Sequence, residues 1–109
     1  MKDTIKIVQK NSYSCQISFE DQRDLTGYLF NFIVKNKNDC LNNDNNALIN
    51  KNETLSGVDA QNGIFYLTLT SNDTNIKAND YIAQIQLSKN DYVFSKQLNF
   101  IITNNLKKD

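Results

Sequence analysis

Twelve acidic and twelve basic residues, two cysteines and no histidine make up the ionisable inventory of this 109-residue chain. Without imidazole the usual general base and the commonest metal ligand are missing, so Ser-His and Cys-His nucleophiles and the HExxH zinc pattern are excluded. The three glycines, Gly27, Gly57 and Gly63, fit neither GxGxxG nor GxxxxGK[ST], which removes nucleotide binding through a glycine loop. Asp21, Asp24, Asp39, Asp44 and Asp59 contain candidate carboxylate pairs for glycoside hydrolysis, yet all lie amid asparagine in polar stretches where solvated turns account for them better. Asp39, Asn43, Asp44, Asn45 and Asn46 offer oxygen ligands for calcium, but their spacing matches no EF-hand and the central glycine is missing. Asn52-Glu53-Thr54 and Asn72-Asp73-Thr74 match the glycosylation sequon, as an asparagine-rich chain will by chance. No catalytic residue, cofactor or metal is expected.

The remaining polar chemistry is charge-balanced. Net charge is zero and no basic run exceeds Lys107-Lys108, which argues against nucleic acid and against membrane surfaces. No apolar stretch approaches a membrane span and no basic-then-apolar leader follows Met1, so synthesis and folding in a cytoplasm are expected. Eighteen asparagines stand out, most falling between the apolar alternations, where their tolerance of positive φ suits turns. Cys15 shares an alternating face with Tyr13, Ile17 and Phe19 and reads as a small apolar core residue. A bridge to Cys40 is the less favoured alternative.

The elements around these residues are strands. From Gly63 to Leu87, Phe65, Leu67 and Leu69 alternate with Tyr66, Thr68 and Thr70, and Tyr81, Ala83, Ile85 and Leu87 alternate with Ile82, Gln84, Gln86 and Ser88. A period of two gives each strand one buried face. The polar crossing between them carries one apolar residue, Ile76, as a plug for the end of a two-sheet core. Tyr81 then stands where a tyrosine corner does, its hydroxyl tying down a backbone carbonyl. An interlayer disulfide would need a cysteine two residues on, but Ala83 is there, which fits a reducing compartment.

In order, strands are expected at 4–9, 12–20, 28–35, around 47–50 and 53–58, then in the two halves of 63–87, and at 92–103. Lys10-Asn11 and Ser88 to Asp91 turn the chain, and 35–46 is its longest structureless stretch. Tyr28, Phe30, Phe32 and Val34 share the inner face of their strand, while Leu29 and Ile33 make the other face apolar too. Tyr66, by strand parity, and Tyr92 and Phe94, flanking a hairpin, are the aromatics expected outside the core, and Tyr66 and Tyr92 with Leu29 and Ile33 form the candidate interface. The expected fold is all-β, an immunoglobulin-like antiparallel β-sandwich of seven to eight strands over residues 1–104, with a charged tail at 105–109.

Four signatures recur in order: a hairpin ending in SFEDQRDLTGY, a strand FNFIVK, the stretch NGIFYLTLTSNDTNIKANDYIAQIQL, and FSKQLNFIIT. The ordered set resembles the small immunoglobulin-like domain at the start of upper baseplate proteins and related tail proteins of phages and prophages. Asp24-Leu25-Thr26-Gly27 and Asp73-Thr74 through Tyr81 carry most of it, with Asn79-Asp80 standing where a glycine usually precedes the tyrosine. The resemblance implies a non-enzymatic virion structural protein, assembled in the host cytoplasm, that docks onto other tail, baseplate or capsid proteins and forms a homo-oligomer in the particle. With the chain ending near Asp109, an adaptor, attachment piece or surface decoration is expected. The alternative is a stand-alone carbohydrate- or protein-binding module of bacterial origin.

Overall fold

The computed structural model of the chain describes residues 4–19, 23–39 and 44–107. Among these residues seven strands form two sheets. They are β1 (Thr4–Val8), β2 (Tyr13–Ser18), β3 (Leu29–Asn36), β4 (Ile49–Thr54), β5 (Ile64–Leu69), β6 (Asn79–Lys89) and β7 (Tyr92–Thr103), with one short helix, α1 (Gly57–Gln61), between β4 and β5. Five strands make the larger sheet in the order β1-β7-β6-β3-β4, and β2 and β5 pair to make the smaller. The all-β class follows from the alternation: β6 reads buried at Tyr81, Ala83, Ile85 and Leu87 and half-buried between. Phe30, Phe32 and Val34 do the same for β3.

The core lies between the sheets. Ile17 of β2 and Phe65, Leu67 and Leu69 of β5 face the inner residues of β3, β6 and β7. Phe30 meets Phe65 across the gap with ring centroids 4.8 Å apart, and Phe32 meets Phe100 at 5.9 Å. Each such side chain contributes about 1.5–3 kcal/mol by leaving water. Leu25 before β3, Leu55 before α1 and Ala60 within α1, all buried, belong to the same core. Ile76 packs against the core from the β5–β6 crossing, and its carbonyl accepts from Gln9 Nε2 at 2.8 Å. Cys15 is half-buried against the core as a free cysteine; Cys40 lies outside the described residues.

Three expectations need correction. The sandwich is not wholly antiparallel, because β1 runs parallel to β7, Thr4 opposite Asn99 and Val8 opposite Thr103. The two short strands expected near 47–50 and 53–58 are one strand and a helix. Leu55 turns into the core and Gly57 adopts φ of +90°, outside the range of a regular strand, and α1 begins where an edge strand was expected. The stretch 35–46 is partly structured, with β3 running to Asn36 and 3-10 turns at Lys37–Asp39 and Asp44–Asn46. At the other turns, Lys10 has φ of 70° and Asn90 has φ of 54°, the latter closing the β6–β7 hairpin.

Candidate functional site

The five-stranded sheet has one face in the core and one toward solvent, and the centre of the solvent face is built mostly of amide and aliphatic side chains, with the exposed charges Asp80 and Lys6 in an outer row about Ile101. Registers between β7, β6, β3 and β4 set its residues in rows. One row runs Gln97, Gln84, Ile33, Asn50. The next runs Ser95, Gln86, Asn31, Asn52, and the third Val93, Ser88, Leu29, Thr54. On the other side a fourth continues Asn99, Ile82, Lys35, with Thr4 beside Asn99. In these rows Lys35 is the one charged residue, and its ammonium lies 3.0 Å from the Asp44 carboxylate. The turn at Asp44–Asn46 supplies that carboxylate, and Lys35 is buried although its strand position faces outward.

The amides hold one another. Asn31 Nδ2 donates to Asn50 Oδ1 at 2.8 Å, Asn52 Oδ1 at 3.0 Å and the Lys51 carbonyl at 3.1 Å. Asn52 Nδ2 donates to Asn50 Oδ1 at 3.3 Å, and Gln97 Nε2 to Gln84 Oε1 at 3.5 Å. Beside them a depression of about 170 Å³ is lined by Ile33, Ile82, Gln84, Gln97 and the Lys35–Asp44 pair. An apolar floor with amide walls and no free charge can take a neutral hydrogen-bonding group or a partner's apolar side chain.

The candidate interface residues do not converge. Leu29, 44% exposed, and Ile33, half-buried, share the solvent face of β3. Tyr66, also 44% exposed, stands on the outside of β5 in the other sheet. Tyr92 sits at the β6–β7 hairpin, its ring 5.7 Å edge-on from Tyr28 and under the Arg23 guanidinium at 5.2 Å. The same guanidinium lies 5.3 Å from Phe19, so Tyr92 is engaged in packing the hairpin end. Tyr81 is buried at the start of β6, and its hydroxyl donates to the Lys77 carbonyl.

The carboxylates have local partners. Hydrogen bonding from the Thr26 side chain, then from its N–H at 2.9 Å to Asp24 Oδ1, and the charge of Lys89 together lower the Asp24 pKa. Partial burial of Asp73 works to raise its pKa, but Lys51 at 2.8 Å and the N–H and hydroxyl of Thr70 overcome that and lower it. Of the calcium candidates, Asn43 and the Asn45 side chain lie outside the described residues, as does Asp21, and Asp44 is committed to Lys35. Among the described residues no group of three or more His, Cys, Asp or Glu comes together to hold a metal ion, and no helix is long and apolar enough to cross a membrane.

No family model and no curated protein matches the chain. The amide rows were not foreseen: Asn31, Asn50 and Asn99 fell within expected strands and Asn52 between two of them, but which of these lie side by side depends on strand pairing that the sequence does not show. Their signal was present in the outward positions of β6 and β7, where Gln84, Gln86, Gln97 and Asn99 follow one another at period two.

Proposed function

We propose that this chain is a non-enzymatic, immunoglobulin-like docking domain that serves as a structural component of a phage virion, as a tail or baseplate adaptor or a surface decoration. The observation that carries the docking role is the charge-poor centre of the five-stranded sheet's solvent face, where Leu29, Ile33, Ile82 and Val93 interrupt rows of amides whose hydrogen bonds are already oriented, Lys35 is neutralised by Asp44, and the charges of Asp80 and Lys6 lie one row further out. A protein surface can cover such a face without stranding a charge, which is the costly part of burial. The strand order supports the immunoglobulin-like reading. The larger sheet has the order of a variable-type front sheet with its first strand parallel to the last, and β2 and β5 stand for the two inner strands of the back sheet. The test is mass spectrometry of gradient-purified particles after prophage induction or phage growth. The chain is expected in the particles at a fixed copy number, and an I33R/I82R variant that folds is expected to be missing from them. Particles that lack the wild-type chain while the lysate contains it would sink the virion role.

The amide rows also favour a second reading, a module that binds neutral glycans through Asn31, Gln84 and Gln97. Calorimetry with neutral oligosaccharides separates the two. Binding lost in Q84A/Q97A supports the glycan module, and no heat with any sugar removes it.

A further inference from the structure

β4 ends the five-stranded sheet, and its free edge carries a pattern that matches itself. Leu55 N–H donates to the Tyr28 carbonyl at 2.9 Å, so the antiparallel pairs Phe30 with Glu53 and Phe32 with Lys51 are the hydrogen-bonded ones. The N–H and C=O groups of Asn50, Asn52 and Thr54 therefore point away from β3. Natural edges are usually blunted by proline, a bulge or charged side chains, which repel a like-charged partner strand but can pair with one of complementary charge. Here the strand reads INKNET, has no proline, and alternates a cation and an anion about Asn52.

We propose that β4 pairs antiparallel with β4 of a second copy about a two-fold axis at Asn52, joining two five-stranded sheets edge to edge. In this register Asn52 faces Asn52, Asn50 faces Thr54, and Lys51 of each copy faces the second copy's Glu53. The three residues with free backbone groups thus pair only with one another, and every edge bond is closed. Shifting the axis to Lys51 sets lysine opposite lysine, and shifting it to Glu53 sets glutamate opposite glutamate, both repulsive. A half-step shift would join the core face of one copy to the solvent face of the other. Glu53 is exposed and has no ion-pair partner among the described residues. Lys51 uses one ammonium proton on Asp73 and keeps two others for the second copy. The occupant is thus a second copy of this chain, selected by charge complementarity. The pairing carries the amide rows of the solvent face without a break from one copy to the next.

Sedimentation equilibrium over a wide concentration range tests this on the whole chain. A dimer is expected for the wild type. E53K, which sets lysine opposite lysine twice, should raise the dissociation constant by about tenfold or more. N52P removes the central edge donor while leaving the β3–β4 bonds intact, and should give a folded monomer by circular dichroism. Register is read by cross-linking. Two residues at position 52 would have Cα atoms about 5.5 Å apart, within disulfide range. N52C should form a mapped intermolecular 52–52 disulfide, and N50C should form none with itself but link when T54C is present. A wild type that stays monomeric at millimolar concentration overturns the proposal. So does a dimer that survives both E53K and N52P, or an N50C self-link in place of the 52–52 disulfide.

Discussion

Asp73 shows how much one side chain can fix. Its carboxylate accepts from Thr70 N–H at 2.7 Å and meets Lys51 of β4 at 2.8 Å, so it both shapes the turn after β5 and ties that turn to the other sheet. D73N should cost about 1–2 kcal/mol in urea denaturation, chiefly through the charge-assisted bond and the lysine left without its anion. Because the folded pKa values of Asp73 and Asp24 are lowered, their contribution is in place above the unfolded carboxylate value of about 3.9. It is lost as pH falls further through the lowered folded values. Acid titration of stability should show that fall, shallower in D73N. At the alkaline end, burial and then the neighbouring Cys15 push the Tyr13 pKa up to about 12, and burial raises that of Tyr81. Both tyrosines favour the fold while protonated. Stability should therefore hold up to the unfolded value of about 10, then decline as pH climbs toward 12 at Tyr13. For Y81F, loss of the bond to the Lys77 carbonyl should cost about 1 kcal/mol.

Among the elements, strands with a strict alternation were legible almost to the residue, and those bounded by backbone geometry were not. β7 begins at Tyr92 and ends at Thr103 as the spacing of Phe94, Leu98, Phe100 and Ile102 requires. The stretch after β4 defeated the same logic, since Leu55 and Ala60 are buried from a loop and a helix too short to show a period. Gly57 holds the change of direction with φ of +90° and nothing within 4 Å of where a Cβ would stand. G57A should therefore cost about 1 kcal/mol through the backbone alone, with no clash to relieve, and a second-site volume change should not rescue it. At the candidate site, Leu29 and Ile33 could be read as outward because they break the polar side of β3. Their amide neighbours could not, since only the pairing of β3 with both β4 and β6 brings Asn31, Asn52 and Gln86 into one row.

At the scale of the molecule, five strands are opposed by two, so the core depends on a few large side chains with no redundancy behind them. Phe32, fully buried and edge-on to Phe100, is the clearest case. F32A should cost about 3–5 kcal/mol. That is a large part of the roughly 5–15 kcal/mol a domain of this kind has in total, and thermal unfolding should broaden or vanish. The parallel pairing of β1 with β7 has a different bearing, on the order in which the fold can be made. Ile5 and Ile7 are buried beside Phe100 and Ile102, nearly the whole chain away. During synthesis the first strand leaves the ribosome with its partner still unmade, and local hairpins can close long before it finds a place. Within this domain β1 is thus among the last strands to dock, and until β7 is made the apolar side chains of Ile5 and Ile7 stay open to chaperones.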